Sequence, residues 1–249
     1  MSIKLLSYNV QSWDVNPRRI AGIIDLIKRH DPDVICFQEV TILWYSILRK
    51  ELGDKYTFTG RDRFYGDKEK AKRYFERNSI AFKKSKFKSI KCRTYWLGPD
   101  IYNRSRFEGA QLNRVFTTVI LKDKNNKKFE VISTHFDDRF PDIRAKQGVV
   151  ISNFAKEQSL PLFLMGDFNS TPSEDAYKSI KDTLIDVGEE FGVIENTWHG
   201  YGDPTARRID FAFRNRQVKV KSFVLVKDMY EGLPPSDHYP IECVIDFSK

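Results

Sequence analysis

At six places along the chain, a short apolar, β-prone run is bounded at one end by polar or charged residues that local folding does not require. The boundaries are Asn9 in Ser7-Tyr8-Asn9-Val10, Glu39 in Phe37-Gln38-Glu39-Val40, and His135 in Ser133-Thr134-His135-Phe136. They continue with Asp167 and Asn169 in Gly166-Asp167-Phe168-Asn169, Asp210 in Arg208-Ile209-Asp210-Phe211, and Asp237-His238 in Pro235-Ser236-Asp237-His238. Continuous apolar runs suit strands covered on both faces. Strand ends in layered folds are where loops gather, so residues placed there can converge on one cleft.

Between the boundaries the periodicity alternates. Ile3 to Val10 reads as a strand, and Pro17-Arg18-Arg19 opens a helical pattern through Ile20, Ile23, Ile24 and Ile27. After the turn Asp31-Pro32-Asp33, Val34 to Phe37 is a buried strand, and Ile42 to Leu52 a helix stopped by Gly53. Strands are expected at Tyr56 to Thr59, Ser79 to Phe82, Phe87 to Thr94, Val115 to Leu121 and Phe129 to Thr134. The last two form a hairpin about Asp123-Lys124-Asn125-Asn126. A helix over Asp142 to Gln158, a strand at Leu162 to Met165 and a helix over Ser173 to Ile180 follow. The closing strands are Asp210 to Phe213, Val218 to Val226 and Tyr239 to Ile245. No Gly/Ser linker or composition break divides the chain, so one domain over residues 1–249 is expected. Two sheets face to face with helices outside would bury both kinds of apolar pattern.

With 41% hydrophobic and 31% charged residues the chain is neither disordered nor collagen-like. No apolar stretch reaches the roughly 18 residues of a membrane helix. The N-terminus runs directly into strand-like sequence without a secretory leader pattern, which leads to the expectation of a cytoplasmic protein. Cys36, Cys92 and Cys243 are far apart, odd in number and each set in apolar alternation, and are expected to be reduced core residues. The 42 Lys and Arg against 34 Asp and Glu leave a net charge of +8, which favours an anionic partner. Basic residues cluster at Lys68 to Arg77, Lys83 to Arg93 and Arg207 to Lys221, although such runs also serve as plain solvated faces.

Taken singly, the six boundaries have local explanations: Asn9 could shape a turn, Glu39 could cap a helix, Asp167 could close an Asx-turn. Taken together and in order, from Leu5 to Pro240, the series resembles the endonuclease/exonuclease/phosphatase superfamily, the DNase I-like metal-dependent phosphoesterases. The resemblance implies an α/β fold, a four-layer α/β sandwich of two packed, mostly antiparallel sheets flanked by helices. It also implies Mg²⁺ as cofactor, with Mn²⁺ able to substitute, held by Glu39 and Asp237 with Asn9 nearby through its amide oxygen or a water. Asp167 would orient or deprotonate the attacking water, Asn169 would hold it or a phosphoryl oxygen, His238 would contact the phosphate, and His135 would be the second histidine on the substrate. Asp210 would orient His238, because a carboxylate on one ring nitrogen fixes the tautomer and favours the imidazolium. These residue types suit the task, since phosphodiester hydrolysis needs neutralised phosphoryl oxygens and an in-line water.

Around this series, Arg114, Trp198 and His199 are candidates for substrate binding, the last two in a Thr-aromatic-His-Gly stretch that many superfamily members carry before the Arg-Ile-Asp motif. Trp198 would stack a base or serve the core. Arg144 and Gln147 either support the site or lie on the surface, and His30 suits the C-terminal end of the first helix. The polar excursion from Arg63 to Asn78 carries Tyr65, Lys68, Lys70, Lys72 and Arg73, which would grip an anionic strand if it overhangs the cleft. Gln38-Glu39-Val40 and Thr197-Trp198 are similar to the tyrosyl-DNA phosphodiesterases, whereas Thr134-His135-Phe136-Asp137 looks like small uncharacterised microbial members. The expected activity is that of a nuclease or DNA-end-processing phosphodiesterase, monomeric, with DNA favoured over RNA. The alternative is a phosphatase or phosphodiesterase for a small or lipid-headgroup phosphoester. A catalytically dead nucleic-acid-binding module is disfavoured by the full set of expected catalytic residues.

Overall fold

β1 (Ser2–Asn9) leads into α1 (Pro17–His30), whose start is set by Asn16: its side chain accepts from Arg19 N, and Pro17 takes the first helical position, where no N–H is needed. Ile23, Ile24, Leu26 and Ile27 are buried against the sheet. The helix ends on Asp31 in the left-handed region, and His30 in the last turn pairs through Nδ1 with Glu242 Oε2 at 2.7 Å. This crossover returns β2 (Val34–Gln38) parallel to β1, with Asn9 opposite Gln38. The computed structural model describes residues 2–64 and 76–246.

The chain continues through α2 (Ile42–Leu52), β3 (Tyr56–Thr59), β4 (Ile80–Lys83), β5 (Phe87–Trp96), β6 (Val115–Asp123), β7 (Lys128–His135) and α3 (Pro141–Lys156). It closes with β8 (Leu162–Asp167), α4 (Asp175–Lys181), β9 (Ile185–Asp186), α5 (Val187–Glu190), β10 (Asp210–Arg214), β11 (Lys219–Leu225) and β12 (Ile241–Asp246). One sheet has the order β11-β12-β1-β2-β4-β3 and the other β5-β6-β7-β8-β10-β9. Each has one parallel pair at its centre, β1 with β2 and β7 with β8, and antiparallel partners on both sides. The two sheets therefore share one pairing pattern, built twice around a strand-helix-strand unit.

The sheets pack face to face through Leu5, Val34, Cys36, Val131, Met165 and Ala212, all fully buried. A second cluster lies under α1 and α2 and includes Phe37, Trp44 and Leu48, and a third lies under α3 and α4 and includes Ile132, Ile151, Phe168 and Phe211. Each sheet is thus covered on both faces, as its continuous apolar runs require. Among the described residues no helix is long and apolar enough to cross a membrane.

One expectation changes and one open placement is decided. Cys36 and Cys243 are buried, but Cys92 is exposed. It lies on β5, the edge of its sheet, where the whole run from Lys88 to Arg93 is exposed, so alternation around it does not signal a core. The second concerns the basic cluster from Lys83 to Arg93, whose place the sequence left open: it runs from the end of β4 through the adjoining turn along the exposed edge β5, and none of it lines the cleft at the ends of β7 and β8. Lys83 and Lys86 there each hold Asp33 at 2.8 Å. Tyr65, Lys68, Lys70, Lys72 and Arg73 lie outside the described residues.

Candidate active site

Strand register assembles the site. At one end of the second sheet His135 lies opposite Asp167 across the parallel β7–β8 pair, and Asp210 lies opposite Asp167 across β8–β10. In the first sheet β1 and β2 finish side by side on Asn9 and Gln38, and Glu39 follows with φ of 60°. β12 runs antiparallel to β1 and begins opposite Ser7, so Asp237 and His238, just before it, arrive at the same end. Gly166 permits the closest of these approaches: with φ of 155°, a Cβ there would sit 2.1 Å from the Thr134 backbone oxygen. Thr197 Oγ1 accepts from the backbone N–H of Ile209 and Asp210, fixing the start of β10.

His238 Nδ1 lies 2.8 Å from Asp210 Oδ2, and its Nε2 is 3.7 Å from Asp167 Oδ2. His135 Nε2 approaches the same Asp167 oxygen from the other side at 3.6 Å. Asn9 Nδ2 donates to that oxygen at 3.0 Å and to Glu39 Oε1 at 3.1 Å, while the Asn9 side-chain amide oxygen Oδ1 accepts from Gln11 N at 2.9 Å. Ser12 N donates to Glu39 Oε2 at 2.7 Å, and Asn169 N to Asp167 Oδ1 at 2.8 Å.

Burial opposes charge on His238, but Asp210, through its charge and its hydrogen bond, together with the charges of Asp167 and Asp237, outweighs it and raises the imidazole to about 10. Burial, reinforced by Asp210, pushes the Asp167 carboxyl up to about 7. Burial and then the Arg114 and Arg63 guanidinium groups hold His135 well below the ordinary histidine value. The two histidines on either side of Asp167 are therefore in different states near neutral pH: His238 is cationic and His135 neutral.

These groups line a cleft of about 410 Å³. Glu39, Asp237, Asn169 and Arg114 face it together with His135, Asp167 and His238, whereas Asn9 and Asp210 act from beneath. Trp198 also lines the cleft; its Nε1 donates to Asp237 Oδ2 at 3.3 Å, and Arg207 lies 5.1 Å from its ring centroid. His199 instead packs its ring on Tyr239 at 4.1 Å between centroids with Nε2 buried, which places it behind the wall. Arg144 pairs with Glu174 at 2.6 Å, and Gln147 Oε1 accepts from Asp137 N at 2.8 Å. Both support the turns after His135 and Asn169. Sequence reading passed over Trp13 and Glu76 and named Arg63 and Arg207 only as the first residues of the polar excursion and of a basic cluster, yet all four line the cleft. Trp13 and Arg207 lie next to recognised motifs, but only the fold shows which neighbours turn inward. Arg63 is buried and pairs with Glu76 at 2.8 Å.

Glu39, His135 and Asp167 bring ligand atoms within 4.8 Å of one another, as do Asp167, Asp210 and His238; Asp237 belongs to neither set. Carboxylates are the ligands a hard divalent cation prefers, and Glu39 and Asp167 offer them here; the amide oxygen expected from Asn9 is instead taken by Gln11 N, and Nδ2 faces the two carboxylates. Burial has already raised Asp167 beside two further carboxylates, Asp210 and Glu39, so positive charge at this point would relieve their repulsion. The residues fit such an ion.

A buried carboxylate between two differently charged histidines, with further carboxylates in reach at the strand ends of a two-sheet sandwich, defines a hydrolytic centre of the phosphoesterase type. Residues 6–238 match the Endonuclease/Exonuclease/phosphatase family, and the chain belongs to it. A curated relative, the probable CCR4-Not complex 3'-5'-exoribonuclease subunit Ccr4 of Encephalitozoon cuniculi (strain GB-M1), is 25% identical over 201 residues, 72% of this chain. The match spans 40% of that relative's length. The fold is similar to that of an endonuclease/exonuclease/phosphatase from Bacteroides vulgatus (TM-score 0.87, 25% identity, 100% of both chains). It is also similar to the mannosyl-6-phosphatase Bt3783 of Bacteroides thetaiotaomicron VPI-5482 (TM-score 0.85, 23% identity, 98% of this chain and 100% of that one). D. rerio TDP2 complexed with single strand DNA product matches at TM-score 0.79 and 19% identity, over 98% of this chain and 99% of that one.

Proposed function

We propose that this chain is a divalent-metal-dependent phosphodiesterase, a nuclease or DNA-end-processing enzyme that works by in-line attack of water, with Mg²⁺ as its ion and Mn²⁺ able to substitute. The observation that carries the reading is the Asp167 carboxylate set between His135 and His238, with Asp210 fixing the latter. Glu39 and Asp237 would hold the ion, with Asn9 orienting Glu39. When bound, the ion supplies neutralisation of the phosphoryl oxygens. His238, kept cationic by Asp210, pairs with a phosphoryl oxygen through Nε2. Asp167, balanced near neutral pH, accepts the proton of the attacking water, and Asn169 beside it orients that water. His135, neutral, offers a hydrogen bond without adding charge.

A nucleic-acid substrate is supported by the cleft's arginines Arg63, Arg114 and Arg207 and its indoles Trp13 and Trp198, with the chain's net charge of +8. The E. cuniculi relative named as an exoribonuclease and the DNA-bound TDP2 structure agree with it. A small phosphoester substrate is the second reading, favoured by the full-length fold match to a mannosyl-6-phosphatase and by the buried Arg63–Glu76 pair on one wall. The test is a chelator-controlled panel with Mg²⁺ or Mn²⁺: single-stranded and duplex DNA, RNA, abasic and 5′-tyrosyl ends, and sugar, inositol and nucleotide phosphates. Metal-dependent cleavage of a polymer is the expected result. Turnover confined to a small phosphoester would replace this reading with the second.

A further inference from the structure

Trp13 leaves 77% of its surface exposed while lining the catalytic cleft. Its two neighbours are fixed. Ser12 N donates to Glu39 Oε2, and the Asp14 carbonyl accepts from the buried Arg19 guanidinium. Arg19 also donates to the carbonyls of Val10, Gln11 and Pro235, and Trp44 Nε1 donates to the Gln11 carbonyl at 3.2 Å. A fully buried cation thus ties the loop after β1 to the segment that carries Asp237 and His238. The indole is exposed on a braced backbone, one residue from a contact to Glu39, so the point from which it swings is set relative to the reacting centre before substrate arrives.

With the backbone braced, only two side-chain torsions of the indole are left to order on binding, so stacking there costs little conformational freedom. Arg63 and Arg114 line the same cleft, each through one guanidinium nitrogen on a carboxylate, Glu76 at 2.8 Å and Asp138 at 2.7 Å, and a strand whose base lies on the ring would bring its phosphates to these cations in competition with those carboxylates. The other cleft indole is engaged already, with Arg207 near its ring and Asp237 on its Nε1.

We propose that Trp13 is a stacking platform for the nucleobase next to the scissile phosphate, and so makes the enzyme prefer base-carrying strands over base-free phosphodiesters. This rests on the nuclease reading above. The test compares a labelled oligothymidylate with a base-free deoxyribose-phosphate strand of equal length, by fluorescence anisotropy in the presence of chelator. Wild type, Trp13→Ala and Trp13→Phe are measured. Wild type is expected to bind the base-carrying strand about tenfold tighter, Trp13→Ala to lose that preference to within about twofold, and Trp13→Phe to keep most of it. If Trp13→Ala keeps the full preference, or wild type binds both strands equally, the inference is wrong while the nuclease reading stands. If wild type binds neither strand and cleaves neither with Mg²⁺, both fall together.

Discussion

His238 owes its charge to Asp210, since burial alone would leave the ring neutral. With the folded-state value near 10 against the ordinary 6.5, this pairing stabilises the fold fully below about pH 6.5 and is lost as pH rises through about 10. In chelated protein, Asp210→Asn is therefore expected to narrow its stability deficit relative to wild type between those two limits, as read by denaturant unfolding. The His238 ring, followed by NMR, should titrate far lower in the variant; an unchanged titration would remove Asp210 from its role. Asp167→Asn keeps size and loses the proton acceptor, so kcat is expected to drop by about 10²–10⁴ with little change in fold. A variant within threefold of wild type would mean another group accepts the proton. These residues were legible in the sequence because each lies at one end of an apolar run, where a polar side chain has no local use. Trp13 was not, because one aromatic residue in a loop carries no pattern.

At the scale of elements, the site depends on how closely strands and loops approach. Gly166→Ala would drive a Cβ against the Thr134 backbone where β7 and β8 pair, one residue before Asp167. The expected cost is about 1–3 kcal/mol of stability, with activity reduced as Asp167 shifts; thermal unfolding and kcat measure the two. Arg19→Met would leave the carbonyls of Val10, Asp14 and Pro235 without the guanidinium that serves them, and the Gln11 carbonyl with Trp44 Nε1 in place of two donors. A loss of at least about 3 kcal/mol is expected by denaturant unfolding. A near-neutral result would show that the bonds to Asn9, Glu39 and Trp44 are enough to hold the loop after β1. Helix and strand positions followed periodicity well because both faces of each sheet are covered. Cys92 departed from it because β5 is an edge, and alternation cannot tell an edge strand from a central one.

For the molecule as a whole, the charge of +8 and the arginine-lined cleft predict that cleavage of a polymer slows steeply between about 50 and 200 mM salt, whereas turnover of a small phosphoester does not. Salt-insensitive cleavage of DNA would mean that backbone contacts contribute little. The sequence by itself determined the type of chemistry, because carboxylates, an amide and histidines at strand ends have few other uses in that order, and it determined the layered fold, because continuous apolar runs must be covered on two sides. Only the tertiary structure decided which residues meet. Register across β7, β8 and β10 aligns His135, Asp167 and Asp210, residues up to 75 positions apart in the chain, and puts His199 behind the cleft wall while Trp13 and Arg63 line it. The reason is physical: local pattern reports how a segment meets water and core, whereas convergence depends on long-range strand pairing that no single segment encodes.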